Sequence, residues 1–136
     1  KGDKRVYPVG RLDYDSEGLM ILTTDGDYAY KMTHPKFEIK KVYWADLNRE
    51  LSPSEMTELR RGVVIDDYKT RPIGLTHLEE TTYQIELKEG RNRQIRKMLA
   101  LFDVEVIKLR RIRFGKVQLG NLKPGQMRPL TKDEIR

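Results

Sequence analysis

Residues 82–87 read Thr-Tyr-Gln-Ile-Glu-Leu, so Tyr83, Ile85 and Leu87 alternate with Gln84 and Glu86. That period of two is the pattern of a strand with one face buried and one face wet. Short strand-type runs recur along the chain, at Val6 to Val9, Leu19 to Thr23, Lys41 to Asn48, Val63 to Ile65, Ile73 to Leu78, Val104 to Leu109 and Lys116 to Leu119. Only brief helical stretches separate them. This organisation predicts an α+β fold in one domain: a mixed, mostly antiparallel sheet with short flanking helices. The 136 residues suffice for a single core.

The helices announce themselves by their ends. Asp25 is placed to cap a helix running to about Met32, which His34-Pro35 stops. Ser52-Pro53-Ser54-Glu55 combines a serine cap, a proline at the first helical position and a glutamate at the third. That helix is expected to reach about Arg61 and stop at Gly62. Asn92 to Phe102 reads as a third helix, with Ile95, Met98, Leu99 and Phe102 facing the core and Arg93 and Lys97 sharing another face. Thr131-Lys132-Asp133-Glu134 starts a last one. Leu19 to Thr23, being continuously apolar, is expected to be a strand buried on both faces. Within Lys41 to Asn48, Val42, Trp44 and Asp46 fall on one face, and Tyr43, Ala45 and Leu47 on the other.

Composition removes several chemistries. With no cysteine, the chain has no disulfide, no zinc–thiolate site and no thiol nucleophile. Two histidines, His34 and His77, leave few candidates for a triad base and argue against a transition-metal site built from protein alone; both read as structural. No leader and no apolar run near membrane-spanning length is evident, so a soluble, cytoplasmic chain is expected. Charge is uneven. Residues 1–87 hold 13 Lys+Arg and 16 Asp+Glu, net −3, while residues 88–136 hold 14 and 5, net +9. A basic final third on a nearly neutral body points to a polyanion-facing surface.

Four places could carry chemistry. Asp13 lies in Gly10-Arg11-Leu12-Asp13, just ahead of an apolar strand, with Arg11 two residues earlier on the same side of an extended segment. A neighbouring cation keeps a carboxylate ionised and able to act as a nucleophile. A turn aspartate bonding its own backbone would read the same way, and Asp15 and Asp25 are assigned to that role. Glu89 to Met98 packs cations and amides around a glycine turn at a helix start, suited to phosphate or to a buried carboxylate partner. Tyr43 is a mid-strand ring that can pack in the core or stack on a base. Lys108 to Gly115 alternates basic and apolar residues, as would a strand facing RNA phosphates or a charge-protected edge strand.

Three of these segments stand in a telling order: Gly10-Arg11-Leu12-Asp13 with Gly18-Leu19; Lys41-Val42-Tyr43; and Gly90-Arg91-Asn92-Arg93-Gln94-Ile95-Arg96. With Leu109 to Leu130 they resemble the RsuA/RluB branch of bacterial ribosomal-RNA pseudouridine synthases over essentially the whole chain. The resemblance implies the catalytic fold of that family and isomerisation of uridine to pseudouridine in folded RNA, with no cofactor and no metal. It implies that Asp13 is the nucleophile, attacking ribose C1′ or base C6 of a flipped uridine. By the same resemblance Arg96 pairs with Asp13, Tyr43 stacks on the base, and Arg11 holds the flipped nucleotide or fills its gap. Arg91, Asn92, Arg93, Arg110, Arg111 and Arg113 would bind RNA, and Leu12 and Ile112 would line the pocket. The implied partner is ribosomal RNA, with the wording around Lys108 to Gly115 pointing toward the large subunit. Members usually carry an N-terminal S4-type RNA-binding domain and a Lys-Pro-containing opening strand. Neither is present in residues 1–136, so a catalytic-domain fragment is expected, monomeric in the intact enzyme but with a sheet edge able to pair with another copy. Two rival readings are a non-catalytic RNA- or ribosome-binding module of the same fold and a structural protein–protein module.

Overall fold

The computed structural model describes residues 5–136. Ten strands and four α-helices follow one another in the chain. They are β1 (Tyr7–Pro8), β2 (Glu17–Gly18), β3 (Leu22–Thr23), α1 (Gly26–Thr33), β4 (Lys41–Leu47), α2 (Pro53–Arg61), β5 (Val64–Ile65), β6 (Tyr68–Lys69), β7 (Gly74–Glu79), β8 (Thr82–Leu87), α3 (Gln94–Ala100), β9 (Val106–Phe114), β10 (Val117–Gln118) and α4 (Lys132–Ile135). The main sheet runs β10-β9-β4-β8-β7, all antiparallel, and β2 adds a short parallel pairing to β9. The expected α+β class and mixed, mostly antiparallel sheet are therefore correct. No helix among the described residues is long and apolar enough to cross a membrane.

Local signals set the helix starts. The Asp25 carboxylate accepts from the backbone N–H groups of Asp27 and Tyr28. Ser52 and Glu55 form a complete capping box, as do Thr131 and Glu134. Arg49 then fixes the start of α2 to the end of α3, forking onto Glu55 and donating to the Phe102 carbonyl.

Two apolar clusters hold the chain. The larger joins β4, β7, β8 and β9 to α2 and α3 through residues such as Tyr83, Leu59, Met98 and Leu99. Full burial of each aliphatic side chain contributes roughly 1.5–3 kcal/mol. Ile95, Met98 and Leu99 are buried and Phe102 packs against them, as their spacing requires. The smaller cluster seats Tyr28 and Met32 of α1 on Val9, Leu19, Ile21, Phe114 and Val117.

Four expectations need correction. Leu19 to Thr23 is not buried on both faces: Leu19 and Ile21 are buried but Leu22 is 46% exposed. The chain leaves β9 after Gly18 and pairs with β1 only at Leu22–Thr23, so it offers α1 a single face. The strand through Lys108 continues to Phe114 and lies between β4 and β10, so it is not an edge strand. The helix expected from Asn92 starts at Gln94, because Arg93 takes a left-handed conformation, φ 50°. Arg93 and Lys97 consequently part: Arg93 turns to Asp15 and Lys97 to Asp66. The β5–β6 hairpin was expected only in its first strand.

Gly18 is the one glycine on which the site depends. Its φ is +113°, and a Cβ there would collide with the Arg111 backbone. The bare backbone is what lets β2 lie against β9 and bring the preceding loop to the sheet.

Candidate active site

The loop joining β1 to β2, residues 11–16, crosses the mouth of a cleft of about 720 Å³ whose other walls come from β4, β8, β9 and the turn before α3. That volume lies in the range of about 300–1,000 Å³ usual for small-molecule sites. Arg11, Leu12, Asp13, Tyr43, Arg91, Asn92, Arg93, Arg96 and Arg111 all line it. The sequence-derived segments thus converge, although they are separated by up to about a hundred residues of chain.

Two carboxylates on the loop live in different surroundings. Asp15 takes a two-pronged hydrogen bond from Arg93, Nη1 to Oδ1 at 2.9 Å and Nη2 to Oδ2 at 2.8 Å. Arg96 adds Nε at 3.5 Å from Asp15 Oδ2 and donates from Nη2 to the Asp15 carbonyl at 2.7 Å. Through Nη1, Arg96 also donates to the Val106 carbonyl on β9 at 3.0 Å, which bolts the loop to the sheet. The Arg93 hydrogen bonds outweigh desolvation and hold the Asp15 carboxyl at about 2, below its ordinary 3.8. Asp13, by contrast, makes no side-chain hydrogen bond among the described residues. Its nearest cation is Arg93, Nη1 to Oδ2 at 3.8 Å, and its side chain is 35% exposed.

This corrects the expected partnership. Arg96 is paired with Asp15, not Asp13, and Asp15, in the turn that the Ser16 N–H closes onto the Asp13 carbonyl, is also the anchor of the loop. Two arginines four and seven residues into the Glu89 turn meet the same carboxylate, leaving its neighbour exposed to the cleft.

Tyr43 is half-buried on β4, opposite Ile85 of β8 and Arg111 of β9, and lines the cleft. Trp44, its neighbour, points to the other side and bonds Gln84. Glu89 is buried beneath the arginine turn. Burial pushes its carboxyl up, but Tyr68 Oη, the Arg71 N–H and Gln94 Nε2 all donate to it and bring it below the ordinary value. It fixes the turn from which Arg91 lies over the Tyr68 ring, 3.1 Å from its centroid, with Asn92 exposed beside it.

Three expected residues, Arg110, Ile112 and Arg113, fall outside the cleft, and a fourth, Arg111, lines it without the expected exposure. Arg111 is not on a phosphate-facing surface: it is 2% exposed and donates Nε and Nη2 to the Leu19 carbonyl. Arg110 pairs with Glu17, and Arg113 donates to the Gly115 carbonyl; neither lines the cleft. Ile112 is not in the cleft wall either. A shift in the β4–β9 register sets Tyr43 opposite Arg111 and Val42 opposite Arg113, so Ile112 is left unpaired with β4 and its place on the wall passes to Leu109 and Phe114. Lys41, Glu89 and Gln94 are cleft residues that the sequence did not single out by role.

Comparison with known proteins gives the family of the chain. Residues 1–101 match the family model described as RNA pseudouridylate synthase. The chain is 41% identical to ribosomal large subunit pseudouridine synthase B of Bacillus subtilis, over 98% of this chain and 57% of that protein. It is 34% identical to ribosomal large subunit pseudouridine synthase E of Xanthomonas campestris, over 91% of this chain and 76% of that one. A crystal structure of a pseudouridylate synthase superposes with a TM-score of 0.91 at 32% identity, covering 96% of this chain and 58% of the other. The chain spans little more than half the length of the Bacillus subtilis relative, at 57%, and of an uncharacterised RNA pseudouridine synthase of Aquifex aeolicus, at 55%.

Proposed function

Because the chain belongs to the RNA pseudouridylate synthase family, we propose that residues 1–136 are the catalytic domain of an enzyme that isomerises uridine to pseudouridine in large-subunit ribosomal RNA. The large-subunit synthases of Bacillus subtilis and Xanthomonas campestris to which the chain is similar support that substrate class. The observation that carries the reading is the contrast between Asp13 and Asp15. One carboxylate absorbs two arginines and holds the loop, while the other faces the cleft with a cation near but not bonded to it.

The chemistry requires the uridine to leave the base stack, since its glycosidic bond cannot be rearranged there. The cleft accepts the flipped nucleotide, with Arg11 and Arg91 at its rim to meet backbone phosphates. Tyr43 stacks on the uracil from the sheet side. Asp13, with the Arg93 guanidinium 3.8 Å away, attacks either C1′ or C6 as nucleophile. The ring then detaches, turns and rejoins the ribose through C5, after which C5 loses its proton and N1 gains one. Arg96 is a positioning residue here, acting through Asp15 and β9 rather than on the nucleophile.

The test is nucleoside analysis of unmodified large-subunit RNA after incubation with the protein that carries this chain. Pseudouridine should appear at one stoichiometric equivalent. Binding of that RNA with no pseudouridine formed would reject the enzyme reading.

A further inference from the structure

Resting on that reading, we propose that Lys41 and Arg111 form a cation pair on the cleft floor that holds the uracil carbonyl on which negative charge builds during the reaction. Both side chains line the cleft with Asp13 and Tyr43. They share one buried ring: the Arg111 Cζ lies 4.7 Å and the Lys41 Nζ 5.6 Å from the centroid of Phe114. Among the described residues no carboxylate comes within 4.0 Å of either cation.

Such a pair is costly at rest. A buried charge without a counter-ion loses hydration that nothing replaces. Burial and the Arg111 charge both push the Lys41 amine down, against Glu89. Glu89 is the nearby anion, but its oxygens are taken by Tyr68, the Arg71 N–H and Gln94. Arg111 has a structural duty, because Nε and Nη2 hold the Leu19 carbonyl at 3.0 and 2.8 Å. The Tyr43 side chain faces its guanidinium from the adjacent strand, and among the described residues no other carbonyl or carboxylate takes its remaining N–H groups. Lys41 makes no side-chain hydrogen bond among the described residues, so packing alone does not account for a cation there.

The reaction supplies the missing anion. If Asp13 adds to C6, the C6–O bond forms and the C5–C6 π pair shifts through C4 onto O4. If Asp13 attacks C1′, the C1′–O bond forms, the C1′–N1 bond breaks, and its pair spreads from N1 over O2 and O4. Either route puts charge on a ring carbonyl. On the C1′ route C5 then attacks C1′ and the C1′–O pair returns to Asp13. On the C6 route C1′–N1 breaks with its pair on N1, the enolate closes C1′–C5, and loss of the C5 proton expels Asp13 from C6. On both routes C5 loses its proton and N1 gains one. Fixed cations aimed at that carbonyl oxygen stabilise the activated ring more than the resting one, which is the condition for accelerating the step. Arg111 is buried and Lys41 half-buried, which favours the base over the phosphates, and these stay with the exposed cations of the rim.

The test compares wild-type protein with Lys41→Met, Lys41→Gln and Lys41→Arg in single-turnover isomerisation of the same RNA, beside RNA affinity against salt and thermal unfolding. The expected result is a rate about 100-fold lower in the Met and Gln variants, with RNA affinity within about two-fold of wild type and partial recovery in Lys41→Arg. Two variants of different polarity guard against loss through misfolding alone. An unchanged saturated rate, or weaker RNA binding with a log–log salt slope smaller by about one, would overturn the proposal and mark a phosphate contact instead. A wild-type protein that binds the RNA but forms no pseudouridine would instead reject the synthase reading, and this proposal with it.

Discussion

Asp15 carries the largest share of the site's order, and its charge can be removed without changing its shape. In Asp15→Asn, Arg93 loses its fork and its remaining anion is Asp13, now 3.8 Å away. Arg93 should close on Asp13 and hold it, so the turnover rate should fall by roughly 10- to 100-fold, the scale on which about 1 Å of misplacement acts. RNA affinity should change little; a variant with wild-type turnover would show that the fork has no bearing on the nucleophile. The same residue gives a pH signature. Its carboxyl is lowered from 3.8 to about 2 in the folded chain. A folded value below the unfolded one means that Asp15 contributes stability above about pH 4 and that this contribution is lost as pH falls towards 2. Urea unfolding between pH 5 and pH 2 should therefore show a shallower acid decline in Asp15→Asn than in the wild type. Parallel curves would mean that Asp15 is not held in this way.

At the level of elements, the short parallel contact of β2 with β9 decides where the catalytic loop sits. Gly18→Ala would place a methyl group against the Arg111 backbone at φ +113°. The strain and the collision should lower unfolding free energy by more than about 2 kcal/mol, measured by denaturant titration. A neutral result would mean that β2 is not pressed onto β9. Element boundaries also show what could be read from sequence. Asp25, Ser52 and Thr131 cap helices through bonds to residues two or three positions away, so their signals are local and legible. The start of α3 was not legible. Arg93 is left-handed while its side chain reaches a carboxylate 78 residues earlier, and no local pattern encodes that. Arg111 was misread for a different reason. It shares a face with buried Leu109 two residues before it, and the register shift against β4 comes only after it, at Ile112, so the basic run hides that alternation turns this one arginine inward.

For the molecule as a whole, the +9 of residues 88–136 overstates the charge offered to a ligand. Lys97, Lys108, Arg110 and Arg128 are in ion pairs, and Arg93 and Arg96 serve Asp15. The exposed rim cations that remain in this stretch, Lys88 and Arg91, stand with Arg11 to meet phosphates at the cleft. Affinity for ribosomal RNA should fall steeply with salt, and Arg91→Ala should reduce the log–log slope by about one. Arg113→Ala, which removes a side chain already bonded to the Gly115 carbonyl, should change the slope less. Equal effects would place the RNA path away from the cleft mouth. The order of the motif segments made this site legible from sequence, because they converge on one cleft. The division of labour between Asp13 and Asp15 needed three dimensions.

The most direct measurement follows C5 of the target uridine, which loses its hydrogen only when it bonds to the ribose. Unmodified large-subunit RNA carrying tritium at uridine C5 would be incubated with the protein, and tritium appearing in water counted, beside an Asp13→Asn variant checked for RNA binding. The expected result is about one equivalent released by the wild type, as single-site isomerisation requires, and none by the variant although it still binds. Release that persists in Asp13→Asn would contradict the assignment of Asp13 as the nucleophile.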